Sequence, residues 1–266
     1  DPQHRLLIQE ILGSQWKHLI PDSSVNGVFV GCMWNEDFRE LLSSFPVVST
    51  LPNAALATGS GLDFLAGRIA FVCDWTGPAI GVNTACSSSL VTCGLGHGSL
   101  FKSQCDVAVC AGTNLIISRC THSMICRLNA LASDGRCKTL DAAADGYGRA
   151  EAVATCYLSS RDTGQEALVD VAMNQDGRAS SLLAPRSSAQ TAVIVEACFS
   201  RVDRVEAYEL HGTGTQLGDP IEIGALHDAS SWTRADSALV TVGSVKSSIG
   251  HAEGAAGLIG FLGLLV

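Results

Sequence analysis

One cysteine of this sequence sits where a catalytic nucleophile is expected. Cys86 follows Ala79–Val82, an apolar run typical of a buried strand, and precedes Ser87–Leu100, where small and apolar residues recur as in a closely packed helix. The unpaired amide groups and the dipole at a helix N-terminus favour a thiolate over a thiol. Most cysteines are inert core residues, so the assignment of Cys86 as a nucleophile depends on the partners found elsewhere in the chain.

Two histidines supply such partners, because each follows an apolar, strand-like segment. His211 comes directly after Val205–Leu210, in the glycine-rich stretch HGTGT, and His251 follows Leu239–Val245 after a short polar turn. Loops beyond the ends of parallel strands are where catalytic groups collect in α/β folds. Cys86, His211 and His251 therefore form a candidate catalytic set.

The elements that must position these residues alternate between helix and strand, which predicts a mostly parallel, layered α/β fold. Asp1 and Pro2 are typical of a helix start, and an apolar face continues to roughly residue 18. Glycine and aspartate in Ser133–Arg149 predict irregular structure. The further predicted strands are 27–31, 106–111 and 168–173, and the further predicted helices are 36–43, 62–71, 188–200, 219–229 and 252–266.

Composition excludes several classes of protein. A net charge of −9 argues against a nucleic-acid surface. The eleven cysteines include no C-x-x-C pair, and no secretory signal pattern opens the chain, so we expect reduced thiols in the cytoplasm. The apolar run Gly254–Val266 is too short to cross a membrane, which takes about 20 residues. Leu217 stands where a dinucleotide-binding G-x-G-x-x-G motif needs glycine, so that motif is rejected.

Three stretches carry a resemblance to a known family. Asn83–Leu90 (NTACSSSL), Glu209–Ile223 (ELHGTGTQLGDPIEI) and Gly243–Gly257 (GSVKSSIGHAEGAAG) resemble the three signature motifs of β-ketoacyl synthases, most closely those of ketosynthase domains in multidomain polyketide synthases. Further similarity occurs, in the family's order, at DPQHRLL, SDGRCKTLD, ADGY and NQDG. The resemblance covers essentially the whole chain.

The resemblance implies a role for each member of the candidate set. Cys86 accepts an acyl group as a thioester, and His211 and His251 stabilise the enolate formed when a malonyl unit loses carbon dioxide. Lys246 and Glu253 match the family's lysine and glutamate beside the second histidine, which hold it in orientation. The implied reaction is a decarboxylative Claisen condensation in polyketide or fatty-acid chain elongation, and it needs no metal.

The resemblance also implies partners. Thr213 and Thr215 match threonines that hydrogen-bond the pantetheine arm, although turn chemistry explains them equally well. No cofactor is expected to bind directly, because the substrates arrive on the phosphopantetheine of an acyl carrier protein. Other synthase domains are expected partners, and a homodimer is expected through strand 106–111, for which an ordinary central strand is an equal alternative. Neither nucleic acid nor membrane is expected.

The implied architecture is a thiolase-like layered αβαβα fold with two duplicated halves. We expect residues 1–165 to form the half with the nucleophile and residues 166–266 part of the half with the two histidine motifs. The family's ketosynthases carry a strand and loop before this point and a glycine-rich loop after it, so we expect a fold incomplete at both ends. The isolated chain is accordingly expected to be a poor catalyst and prone to aggregate.

Departures from the family pattern keep an alternative open. Asn83 replaces the usual aspartate and Ser248 the usual asparagine, which predicts looser loops. Ala150 and Ala152 stand where glycine is usual, in positions that could require positive φ. A non-catalytic or truncated ketosynthase remnant, acting as a carrier-docking or scaffold module, is the alternative. A thiolase or a cysteine protease accounts less well for two histidine motifs.

Overall fold

A computed structural model describes residues 1–14, 20, 24–45, 58–161, 166–198, 205–231 and 240–265. The strands are β1 (Asn26–Cys32), β2 (Ala79–Val82), β3 (Val107–Asn114), β4 (Ala152–Ser159), β5 (Ala207–Glu209) and β6 (Thr241–Gly243). The helices are α1 (Pro2–Gly13), α2 (Asp37–Ser43), α3 (Leu62–Cys73), α4 (Ser88–Phe101), α5 (Arg119–Arg127), α6 (Ser187–Ala197), α7 (Gly218–Ser231), α8 (Lys246–Ile249) and α9 (Ala256–Gly263), with a 3-10 turn at Glu253–Ala255. The fold is mixed α/β.

The described chain divides into two compact units, whose ranges interleave along the sequence. The first unit comprises Asp1–Arg127, Ala150–Ala167 and Ala252–Ile259. The second comprises Leu128–Arg149, Leu168–His251 and Gly260–Val266.

The first unit is built on a four-stranded sheet in the order β2-β1-β3-β4. The strand pairs β1–β2 and β1–β3 are parallel, whereas β4 runs antiparallel to β3. Every residue of β1 and β3 is buried, as expected for central strands covered on both faces. Helix α1, capped by the Asp1 carboxylate on the amide of Gln3, packs Leu7 and Ile11 into the core of this unit.

Two glycines bring the start of α4 close to the sheet. A Cβ atom on Gly31 of β1 would lie 2.5 Å from the backbone nitrogen of Ser89, and one on Gly112 of β3 would lie 2.6 Å from the Ser89 Cβ. Side chains at these strand positions would therefore push the helix away. The helix start that follows Cys86 is fixed by close contact of Ser89 with the two central strands.

The second unit contains the parallel pair β5–β6, in which Tyr208 faces Val242 in register. Helices α6 and α7 pack against each other in this unit. Residues 133–146 lack regular helix or strand, as their glycine and aspartate content predicts. The loops after β5 and β6 carry the two histidine motifs.

The predicted elements are confirmed where their apolar patterns are strong, with shifts of a few residues at the ends. The strand predicted at 168–173 is wrong: the segment has no ladder partner within the described residues, and Val169 is 72% exposed. Strand β4 and helix α5 were not predicted. The single helix expected over 252–266 is a 3-10 turn followed by α9. Residues 15–19, on which part of the α1 prediction falls, lie outside the described residues.

The expected homodimer contact through strand 106–111 is also corrected. β3 is paired with β1 along one side and with β4 along the other, so its backbone groups are already used in the sheet. It therefore has no free edge on which a partner strand could pair.

Across the described residues, no helix combines the length and the apolar character that crossing a membrane requires. None of the eleven cysteines is in a disulfide in this structure.

Candidate active site

Cys86 lies in the tight turn that joins β2 to α4, and its side chain is half-buried. Ala85, just before it, has φ of 56°, a left-handed conformation uncommon for a residue with a Cβ atom. The turn is closed by a hydrogen bond from the Ser88 amide to the Ala85 carbonyl at 3.1 Å, and the Thr84 amide donates to the Ser88 hydroxyl at 2.9 Å. The first turn of α4 thus begins two residues after the thiol.

Asn83 connects this turn to the end of β1. Its side-chain oxygen accepts from the Ala85 amide at 3.1 Å, while its side-chain nitrogen donates to the Met33 carbonyl at 3.1 Å. An ionised aspartate cannot make the second bond, because it has no donor. The exchange of aspartate for asparagine therefore ties the two turns together, contrary to the expected loosening. Ala150 and Ala152 are also accommodated, since neither has positive φ.

The loop that carries His211 is held by a half-buried glutamate of α7. The Glu222 carboxylate accepts from the amides of His211 at 2.6 Å and Gly212 at 2.9 Å. Burial raises the pKa of Glu222, while these two amide bonds act in the opposite direction. Gly212 has φ of 45°, so the loop turns sharply at the residue after the histidine.

Asp219, at the start of α7, organises the rest of this loop. Its carboxylate is 4% exposed and accepts from the amides of Gly214 at 3.1 Å, Thr215 at 3.3 Å and Leu140 at 2.9 Å. The Gly146 amide donates to the Gly214 carbonyl at 3.0 Å. One carboxylate thus joins the HGTGT loop to the irregular segment before Gly146.

We expect Asp219→Ala to lower the free energy of unfolding by about 2–3 kcal/mol, because three amide groups lose their charged acceptor. Denaturant unfolding measures the change. Asp228→Ala removes an exposed carboxylate from the same helix and is expected to cost no more than about 0.5 kcal/mol. Equal effects of the two substitutions would contradict the assigned role of Asp219.

His251 is held in the second unit by its backbone and by an aromatic neighbour. Its amide donates to the Gly148 carbonyl at 2.7 Å, and its ring lies edge-on to Tyr147 with 4.9 Å between ring centroids. Only 3% of the residue is exposed. Gly250, with φ of 84°, ends α8 and turns the chain into His251.

The two predicted histidines lie together in this unit. The ring centroids of His211 and His251 are 5.4 Å apart and the ring planes are nearly perpendicular, at 87°. Loss of hydration is the main cause that lowers the pKa of His211 to about 4 and that of His251 to about 2, although His211 retains exposed surface. The positive charge of Lys246 acts in the same direction on both. Both imidazoles are therefore neutral near pH 7.

We expect both rings to remain neutral at pH 6, where a histidine with the ordinary pKa of 6.5 is mostly protonated. Nitrogen-15 NMR of the histidine rings measures this, and the urea-unfolded chain, in which both should titrate normally, is the control. Because the unfolded state then binds protons that the native state does not, these residues make the free energy of unfolding fall as the pH drops from about 6.5 to 4. Protonated rings at pH 6 would refute the assignment.

Lys246 and Glu253 occupy buried positions on either side of His251 in the sequence. Lys246 begins α8 and is 4% exposed, within the unit that holds both histidines. Glu253 belongs to the first unit, is 1% exposed and accepts a hydrogen bond from the Trp34 indole at 2.9 Å. Cys86 also belongs to the first unit.

Thr213 and Thr215 lie in the loop after His211. Their hydroxyl oxygens are 3.4 Å apart, and the Gly218 amide donates to the Thr215 hydroxyl at 3.1 Å. Thr213 is nearly buried, whereas Thr215 lines an open cavity of about 550 Å³ in the second unit together with Leu140 and Ile223. Thr215 can therefore both stabilise the turn and take part in binding a ligand in this cavity.

Sequence reasoning missed several residues that shape the site. Asp219 and Glu222 lie within a recognised motif, and a carboxylate that follows a glycine-rich loop was a usable signal for a loop-holding role. No local pattern indicated Trp34, and the ADGY stretch that ends at Tyr147 gave no sign of its contact with His251, because both partners are distant in the sequence.

Comparison with known families identifies the class of protein. Residues 1–163 match the β-ketoacyl synthase N-terminal domain and residues 166–266 match the β-ketoacyl synthase C-terminal domain. The chain therefore belongs to the β-ketoacyl synthase family.

Comparison with individual proteins narrows the class to ketosynthase domains of polyketide synthases. The chain is 39% identical over 279 residues to a phenolphthiocerol/phthiocerol polyketide synthase of Mycobacterium tuberculosis, matching 98% of this chain and 12% of that protein. It is 36% identical to the reducing polyketide synthase ppsB of Aspergillus oryzae, with 98% of this chain and 12% of that protein covered. The chain thus spans about an eighth of the length of these relatives.

Solved ketosynthases show the same fold. The oxazolomycin ketosynthase domain OzmH KS7 of Streptomyces albus matches with a TM-score of 0.85 and 30% identity, covering all of this chain and 47% of that one. The ketosynthase from module 6 of the bacillaene synthase of Bacillus subtilis matches with a TM-score of 0.83 and 31% identity, again over all of this chain and 47% of that one. This chain therefore spans about half of a solved ketosynthase.

Proposed function

We propose that this protein catalyses the decarboxylative Claisen condensation of an acyl group on Cys86 with a malonyl-type extender on a carrier protein. The observation that carries the proposal is the pair of adjacent, neutral imidazoles of His211 and His251 in the second unit. Two neutral N–H donors suit an oxygen that becomes negatively charged during a reaction. A protonated pair would instead transfer a proton to that oxygen.

In the first step, the Cys86 thiolate attacks the carbonyl carbon of an incoming acyl thioester. A carbon–sulfur bond to Cys86 forms, the bond to the carrier sulfur breaks, and the released carrier thiolate takes up a proton. The start of α4, two residues after Cys86, favours the thiolate that this attack needs. The backbone N–H of Cys86 is proposed as one donor to the oxyanion of the tetrahedral intermediate.

In the second step, the bond between the malonyl α-carbon and its carboxylate breaks, carbon dioxide leaves, and the electron pair of that bond forms an enolate. His211 and His251 donate ring N–H groups to the enolate oxygen and lower its energy. The enolate carbon then attacks the acyl carbonyl on Cys86. A carbon–carbon bond forms, the thioester bond to Cys86 breaks, and the thiolate is regenerated.

Lys246 and Glu253 act in this proposal by holding the segment around His251 in place. Lys246 is buried in the short helix five residues before His251, and its charge opposes protonation of both histidines. A cation here therefore keeps the rings in the form that the second step requires.

The partners in this proposal follow from the carried substrates. Thr213 and Thr215 are proposed to hydrogen-bond the pantetheine arm of an acyl carrier protein, with the cavity beside Thr215 as the space it occupies. Residues 1–165 are proposed as the nucleophile half and residues 166–266 as the histidine half of a duplicated thiolase-like fold in a cytoplasmic, multidomain synthase. A second copy of the chain is proposed to pair at β2, whose outer side has no ladder partner among the described strands and where Ile80 is 40% exposed.

The direct test supplies an acyl-pantetheine thioester followed by a malonyl-carrier protein, and analyses the product by mass spectrometry. The expected product is a β-ketoacyl carrier two carbons longer than the acyl donor, with release of carbon dioxide. Acylation of the protein without carbon–carbon bond formation or decarboxylation would refute the proposed reaction.

A further inference from the structure

Trp34 connects the end of β1 to Glu253, although 219 residues separate the two in the sequence. The indole Nε1 of Trp34 lies 2.9 Å from Oε2 of Glu253. An indole nitrogen only donates, so the carboxyl oxygen is the acceptor in this bond. Glu253 is 1% exposed, and a carboxyl group buried to that extent depends on donors from the protein.

The turn that carries Trp34, here called the β1 turn (Met33–Trp34), is itself fastened at both of its carbonyl groups. The buried Gln3 of α1 donates from its side chain to the Trp34 carbonyl at 3.3 Å. Asn83, in the turn that leads to Cys86, donates to the Met33 carbonyl at 3.1 Å. The β1 turn therefore has a defined position from which the indole can hold another group.

Glu253 lies in a segment whose conformation needs such support. Its φ of 42° is uncommon for a residue with a side chain and persists where the surroundings hold it. The backbone also packs closely here, since a Cβ atom on Gly254 would lie 2.6 Å from the Met33 nitrogen. The β1 turn thus contacts this segment through both its backbone and the Trp34 side chain.

We infer that Trp34 is a positioning residue: its bond to Glu253 fixes the segment Glu253–Ala255 and so restrains the backbone of His251, two residues earlier in the chain. The inference rests on the proposed function, in which His251 donates to the enolate oxygen. Gln3 of α1 supports this role, because its side chain holds the turn from which Trp34 bonds to Glu253.

The test is Trp34→Phe in the full chain, which keeps an aromatic ring and removes the N–H donor. Decarboxylation of a malonyl-pantetheine thioester is expected to slow by about tenfold in kcat, with little change in KM, because the lost bond orients a donor rather than binding substrate. Acylation of Cys86 by an acetyl-pantetheine thioester should change by less than about twofold. Trp75→Phe is the matched control, since Trp75 packs beside the core of the first unit and makes no contact with Glu253 among the bonds described.

A double-mutant cycle separates positioning from general destabilisation. Trp34→Phe and Glu253→Leu each remove the same bond, so the double variant should be no slower than the slower single variant. In nitrogen-15 NMR, the indole N–H resonance of Trp34 is expected to move in Glu253→Gln and to stay in place in Glu10→Gln, which changes an exposed glutamate of α1.

The outcomes discriminate between the two proposals. If the wild-type chain decarboxylates and Trp34→Phe matches Trp75→Phe, or if Trp34→Phe slows acylation and decarboxylation equally, the positioning role is wrong and the proposed function stands. Additive effects in the cycle, or an indole resonance indifferent to Glu253→Gln, also overturn the positioning role. A wild-type chain whose decarboxylation of malonyl thioesters does not exceed the rate without protein refutes the proposed function, and the role of Trp34 with it.

Discussion

Cys86→Ala is expected to abolish acylation of the protein by acyl thioesters, because no other cysteine of the described residues combines a helix start with an accessible thiol in a strand-to-helix turn. Burial raises the pKa of Cys32 and of Cys156 to about 12, which keeps both as unreactive thiols. Cys120 is exposed, but its hydrogen bond to Glu40 raises its pKa as well. Acylation at neutral pH should therefore concentrate on Cys86.

Peptide mass analysis after incubation with an acetyl-pantetheine thioester measures this directly. The label is expected on the peptide containing Cys86 in the wild-type chain and nowhere in Cys86→Ala. Cys120→Ala, which removes an exposed thiol outside the proposed machinery, is the control and should be labelled like the wild type. Label that persists on another cysteine of Cys86→Ala would mean that the nucleophile has been misassigned.

The second large effect is expected for His211→Ala and His251→Ala, each of which should slow malonyl decarboxylation by about 10²–10³-fold. Each variant removes one of two adjacent neutral donors, and the remaining ring cannot satisfy the enolate oxygen alone. Because the histidines act after the acyl group has been transferred, self-acylation of Cys86 should be largely retained. Release of carbon dioxide from a malonyl-pantetheine thioester and the rate of Cys86 labelling measure the two steps separately.

His122→Ala is the matched control, because His122 is an exposed histidine of α5. It should leave both rates close to those of the wild type. Equal loss of acylation and decarboxylation in His211→Ala or His251→Ala would instead assign the histidines a general-base role in the first step, or show that the site collapses without them.

The sequence by itself determined the local chemistry of the candidate site. The placement of Cys86 between a strand and a helix, and of His211 after a strand, follows from apolar patterns that extend over only a few residues on each side. These patterns reflect burial of one short element at a time, so they can be recognised without knowledge of the rest of the fold. The motifs that identify the β-ketoacyl synthase family are local for the same reason, and both family domains match the chain.

Only the tertiary structure decided which distant groups support that chemistry. The segment 168–173 has a strand-like pattern but forms no ladder within the described residues, whereas Ala152–Ser159, which was not predicted, pairs antiparallel with β3. Strand pairing depends on which partner the whole chain brings alongside, and an apolar pattern does not name the partner.

The same limit applies to side chains. The indole of Trp34 bonds to Glu253 across 219 residues of sequence. The Tyr147 ring packs on His251, which is also distant from it in the sequence. Such bonds arise because buried carboxyl groups and imidazoles must find partners wherever the packed chain provides them. Residue types in the motifs therefore specify the reaction that is proposed, while the packing of strands and loops within each unit determines the geometry in which each group is held.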